Sequence, residues 1–145
     1  MSKGTYCLIM KLSKDRDITI GRRPTARFSA GFYCYVGSAM NSLEKRINRH
    51  KSSNKKLHWH IDWFLEHADI VNVKSIESKE RLECSLSQDV ALLSDRIPMP
   101  GFGSSDCKTC ESHLYYFMED PSERLEEVVK KWKDLQRHTE SKENR

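Results

Sequence analysis

Residues 31–50 read GFYCYVGSAMNSLEKRINRH, a strand, a tight turn and a helix in immediate succession. The segment 31–37 is built of strand formers and stops at Gly37. In its pleat Tyr33 and Tyr35 share one face, while Phe32, Cys34 and Val36 share the other. Asn41 or Ser42 can cap the helix that follows, with Glu44 near its positive end. Leu43, Ile47 and His50 recur at helical spacing on one stripe, and Arg46 and Arg49 on the stripe beside it.

On the N-terminal side, residues 4–12 (GTYCLIMKL) read as a first strand, 14–17 as a polar turn and 18–21 as a short strand. On the C-terminal side, 51–56 form a basic loop, 60–66 a helix and 70–76 a strand. Residues 80–93 repeat Leu82, Leu86, Val90 and Leu93 in helical fashion. Pro98 and Pro100 interrupt the chain before a Gly-Ser loop at 101–106; 114–118 is a last short strand and 121–137 a charged helix. The expected architecture is a small single α/β (α+β) domain over residues 1–137. A central, mainly antiparallel three-stranded sheet is flanked by helices, and 138–145 form a disordered tail.

A chain of 145 residues with 37% hydrophobic and 32% charged residues suits one modest core. No apolar run reaches the roughly 20 residues of a membrane span. The N-terminal apolar run is too short for a secretory segment, so the expected setting is cytoplasmic. In a reducing compartment five cysteines read as free thiols or metal ligands. The net charge of +4 divides unevenly: residues 1–56 hold 13 Lys or Arg against 3 Asp or Glu, a charge of +10, leaving −6 for 57–145. A one-sided basic field suits a polyanionic partner, nucleic acid first.

Gly4-Thr5-Tyr6 and Tyr35-Val36-Gly37, followed by Leu43-Glu44-Lys45-Arg46 and His50, resemble the GIY-YIG nuclease pattern. That superfamily carries one tripeptide on each of two strands, an arginine on the next helix and a metal-binding glutamate on a later one. Thr5 and Val36 replace the two isoleucines and are likewise β-branched. The resemblance is clear from Gly4 to His50. It extends more loosely to Met118, through the strings HWHID and GFGSSDC…C…SHL, to one branch of the superfamily. It implies Tyr6 as general base or water-positioner, Tyr35 as its partner, Arg46 on the scissile phosphate and His50 in an accessory or proton-transfer role.

The chemistry asks for similar parts. Phosphodiester cleavage needs an activated nucleophile, a cation on the phosphate and stabilisation of the leaving oxygen. A tyrosine with a pKa of about 10 is ionised to only ~0.1% at neutral pH, so a tyrosine base needs a cationic neighbour. Arg46 could be that neighbour. The glutamate that the resemblance requires has two candidates, Glu80 and Glu83. Glu83 is preferred because it opens the apolar-periodic part of its helix, where an inward carboxylate is costly without a role. One carboxylate with several waters is an ordinary Mg²⁺ site.

Ser38, Arg49, Lys51, Lys55, Lys56 and His58 are candidate nucleic-acid contacts. His58 and His60 read chiefly as a helix-start packing pair, with Trp59 stacking on a base as the sharper alternative. Cys107, Cys110 and His113 form C-x₂-C-x₂-H, which could offer three zinc ligands, with Cys84 or Asp106 as a fourth. Cys7 and Cys34 read as small core residues. The loop 101–106 could close over a substrate or cradle an anion.

The expected activity is therefore metal-dependent hydrolysis of nucleic acid, DNA ahead of RNA, with preference for structure rather than base sequence. The alternative is a non-catalytic nucleic-acid-binding or interaction module on the same fold. The residues do not name a protein partner or an oligomeric state.

Overall fold

A computed structural model of the chain describes residues 2–104, 107 and 109–143, with side chains to Arg137. In chain order the elements are β1 (Gly4–Leu12), β2 (Arg16–Ile18), β3 (Ala26–Phe28), β4 (Gly31–Ala39), α1 (Leu43–Lys51), α2 (His60–Phe64), β5 (Asp69–Glu77), α3 (Glu83–Leu93), β6 (Leu114–Phe117) and α4 (Ser122–Glu143). The main sheet has strand order β5-β1-β4-β6, with every pairing antiparallel.

Four strands rather than three make this sheet, because the short run Leu114–Phe117 pairs with Phe32 to Tyr35 of β4. Strands β2 and β3 form a separate two-stranded ribbon. Its sequence signal is weak, since only Ile18 and Phe28 of the six residues are buried. Helix α3 starts at Glu83 rather than at residue 80, where Ser78 Oγ accepts the Glu80 N–H at 3.1 Å in a turn. Helix α4 runs to Glu143, past the end expected at Arg137.

The inner strands are buried on both faces. Tyr6, Leu8, Met10, Tyr33 and Tyr35 meet Leu43 of α1 and Ile61 and Phe64 of α2. Cys7, Ile9, Cys34 and Val36 meet Leu86 and Val90 of α3 and Leu125 and Val129 of α4. A strand covered on both sides reads as a continuous apolar run instead of an alternation, which is why β1 and β4 stand out in the sequence. Cys7 and Cys34 are fully buried, as expected of small core residues.

The register of β1 on β4 sets the two tripeptides against each other, with Gly4 opposite Ala39, Thr5 opposite Ser38 and Tyr6 opposite Gly37. Gly37 is required by close approach. A Cβ there would overlap Oη of Tyr6, whose ring lies across the backbone, and would come within 3.0 Å of the Tyr35 ring. Gly4 is equally confined, by the Ile76 carbonyl and the Leu43 side chain. We predict that Gly37→Ala lowers the unfolding free energy by about 1–3 kcal/mol, as overpacking does. A urea denaturation midpoint equal to that of the wild type would show that the Tyr6 ring yields freely.

Candidate active site

Where β1 begins and β4 ends, side chains from five elements line a cleft of about 750 Å³. Helix α1 supplies its cationic wall. Ser42 is the N-cap and its Oγ accepts the Lys45 N–H at 3.3 Å, which fixes where the helix starts and so which stripe turns inward. His50 is consequently buried, with its Nε2 2.7 Å from Oη of Tyr6. Arg46 lines the cleft; its Nη1 donates to the Ser38 carbonyl at 3.0 Å and its guanidinium lies 4.3 Å from the centre of the Trp59 ring. Tyr35 faces the same space, its ring centre 6.4 Å from that of Tyr6 and 6.3 Å from that of His50.

Tyrosine and histidine are both held neutral here. Burial raises the Tyr6 phenol above its ordinary value of 10.0 and outweighs the opposing pull of Arg46. Burial also raises Tyr35, with Tyr6 and Glu83 adding to the rise. The same desolvation takes His50 down to about 4, helped by Lys55, Arg46 and Arg49 and opposed by Asp62. Arg46 thus acts as expected on Tyr6 without being strong enough to leave a standing phenolate. The hydrogen-bond partner of Tyr6 is His50 rather than Tyr35.

Glu83, the first residue of α3, is the sole carboxylate among the described lining residues of the cleft. Ser38 Oγ donates to its Oε2 at 3.3 Å, and His113 Nδ1 lies 3.3 Å from its Oε1. Glu80 is exposed in the turn before the helix. Of the two glutamates, only Glu83 faces the tyrosines and Arg46 across the cleft.

Among the candidate nucleic-acid contacts, the basic residues divide. Arg49 is bound internally: its guanidinium donates to both carboxylate oxygens of Asp62, at 2.9 and 3.0 Å, and to the Lys56 carbonyl at 2.9 Å. Lys55 Nζ donates to the carbonyls of His50 and Arg49 at 2.8 and 3.2 Å, covering the negative end of α1. Lys51, Lys56 and His58 are exposed, and His58 lines the cleft beside Ser38.

Asp62 was not singled out from the sequence. It is fully buried and accepts the backbone N–H groups of His58 and Trp59 as well as Arg49. Burial alone would raise its carboxyl, but these donors hold it below the usual carboxylate value. Its signal is an aspartate at the third position of a helix whose cap is Trp59. Arg81 also lines the cleft. His60 has the packing role expected of it, its Nδ1 accepting the Gly103 N–H at 2.9 Å while its ring meets Phe102. Phe102 is fully buried, so the first part of the Gly-Ser loop is anchored in the core.

The fold also brings Cys84, Cys107, Cys110 and His113 together, with their ligand atoms all within 4.8 Å of one another. The group could hold a metal ion. Cys84 reaches it from the first turn of α3, and its Sγ lies 2.8 Å from that of Cys107. Asp106, the other candidate fourth ligand, lies outside the described residues, as does the end of the 101–106 loop. Cys107 and His113 also border the cleft, so the two groups share one wall.

A small antiparallel sheet covered on both faces, with tyrosine, arginine, histidine and glutamate converging where β4 ends, defines the class of domain. Residues 5–136 match the model of a family described as a domain of unknown function, DUF123, and the chain belongs to that family. No curated protein and no solved structure matches it. No helix of the described residues is long and apolar enough to cross a membrane.

The His50 environment has a measurable pH consequence. With its pKa lowered from 6.5 to about 4 on folding, the unfolded chain binds the extra proton between those values. Stability is therefore full above pH 6.5 and falls as pH drops toward 4. Asp62 acts lower, since its depressed carboxyl costs stability only as pH falls below its ordinary 3.8. We predict that His50→Gln flattens the decline in urea midpoint between pH 6.5 and 4. An unchanged slope would assign the decline to other groups.

Proposed function

We propose that the chain is a metal-dependent endonuclease of the GIY-YIG type, acting on nucleic acid, DNA ahead of RNA, with preference for structure over sequence. The observation that carries this reading is the cleft itself. Tyr6 and Tyr35 of the paired tripeptides, Arg46 and Glu83, the one carboxylate among the described lining residues, all open onto it, and His50 stands behind Tyr6 on its hydroxyl.

The chain's own residues divide the work. Arg46 receives a non-bridging oxygen of the scissile phosphate, close to the Ser38 carbonyl that already orients its guanidinium. Tyr6, kept a phenol by burial, orients the attacking water. As water gives a proton to Oη, the phenol's own proton passes along the 2.7 Å contact to neutral His50. Tyr35 closes the opposite side and excludes solvent. Lys51, Lys56 and His58 hold the backbone beyond the cleft; Arg49 and Lys55 act through the fold, by fixing α1 and the loop after it.

Glu83 fits a hydrated divalent ion such as Mg²⁺: it offers one carboxylate in a roomy, polar cleft, and that ion keeps most of its waters. Such an ion, when bound, neutralises charge on the phosphate and the leaving oxygen. The Cys84, Cys107, Cys110 and His113 group is assigned to Zn²⁺, because three thiolates and one imidazole form a closed tetrahedral set for that ion.

The test is cleavage of labelled duplex, single-stranded, flapped and branched DNA and RNA, with Mg²⁺, with Mn²⁺ and with chelator. Cutting by the wild type is expected only with metal, and to fall at least about a hundredfold in Glu83→Ala, Arg46→Ala and Tyr6→Phe. Salt-sensitive binding without cutting by any of these proteins would replace this reading with a nucleic-acid-binding module.

A further inference from the structure

His113 is 2% exposed, and neither of its ring nitrogens makes a hydrogen bond. An imidazole buried without partners is costly, so two ring positions need an explanation. One is given by the cysteines. The ligand atoms of Cys84, Cys107, Cys110 and His113 lie within 4.8 Å of one another. A zinc ion with bonds of about 2.3 Å to sulfur and 2.0 Å to nitrogen holds tetrahedral ligand atoms about 3.5–3.8 Å apart. The second explanation is Glu83, whose Oε1 stands 3.3 Å from Nδ1. With Nδ1 turned to the carboxylate, Nε2 is left for the metal.

We propose that zinc at this centre positions Glu83, through a carboxylate–histidine–metal chain and through the adjacent residue Cys84. Zinc on Nε2 places the ring proton on Nδ1, where it donates to Oε1, while Oε2 remains with Ser38 at the cleft. The thiols bind as thiolates and release their protons to solvent. Cys84 follows Glu83 directly in the first turn of α3. Its thiolate would tie that turn to the segment carrying Cys107, Cys110 and His113, so the carboxylate is held from its backbone and from its oxygen together. The zinc is thus a fastening for the cleft wall. The assignment of zinc and the catalytic meaning of Glu83 rest on the function proposed above, whereas the coupling between them is measured without cleavage.

The experiment uses the full chain. Metal analysis of the purified protein is expected to give one zinc per chain. Cobalt substitution is expected to give thiolate charge-transfer bands and the intense visible bands of tetrahedral Co²⁺. Zinc affinity is then measured by competition with a chromophoric chelator in the wild type, Glu83→Ala and Glu80→Ala. Loss of the outer partner should weaken zinc about 10- to 100-fold in Glu83→Ala and leave Glu80→Ala at the wild-type value. Equal affinity in all three proteins would overturn the coupling. A metal-free wild type with reactive thiols, or with Cys84 and Cys107 oxidised to each other, would overturn the centre itself. A chain that binds zinc with this pattern but cuts nothing would sink the nuclease reading alone.

Discussion

The register of β1 on β4 is the constraint on which the rest of the site depends. It sets Tyr6 opposite Gly37, and the missing side chain at Gly37 is what allows the phenol ring to lie across the strand. A one-residue slip would carry Tyr6 to the opposite face, against α3 and α4, and leave His50 facing the wrong side chains. The turn after Ala39 then starts α1 at Leu43, which determines that Arg46 faces the cleft and His50 the buried phenol. Fold and site therefore share one specification.

Electrostatically the domain spends much of its positive charge on itself. Arg49 and Lys55 have internal acceptors, Arg23 donates to the Pro100 carbonyl, and Arg46 is shared between Ser38 and Trp59. A charge count over residues 1–56 consequently overstates the cations free to meet a polyanion. The internal set has another effect: desolvation together with nearby guanidinium groups keeps His50 uncharged. Neutral imidazole against neutral phenol makes a short polar contact without burying an ion pair.

The sequence made β1, β4 and α1 legible because each has a strong local cause: continuous apolar strands, and a helix with a cap and a stripe. The ordered tripeptides pointed to Tyr6, Tyr35 and Arg46, and the apolar period of α3 favoured Glu83 over Glu80. Ribbon β2–β3 was less legible, because its strands are short and mostly exposed. Partners across loops were also hidden. The Asp62 that accepts Arg49 lies 13 residues away, beyond the basic loop. Spacing within C-x₂-C-x₂-H was visible, with Cys84 and Asp106 as candidates to complete it, and the fold brings Cys84 to the group from the first turn of α3.

The strand order leaves two sheet margins, and they are treated differently. At β6, the backbone of residues 95–96 closes the margin, with the Asp95 N–H donating to the Tyr116 carbonyl and the Tyr116 N–H donating to Arg96 at 2.9 and 3.0 Å. At β5, nine residues form the outer strand, and protection falls to charge, with Asp69, Lys74 and Glu77 along its length. Lys74 is further held by Glu126 of α4. Charged side chains on an outermost strand discourage pairing with a second sheet. The long C-terminal helix therefore bears on the sheet margin as well as on the core, since one of the charges along β5 is paired with it.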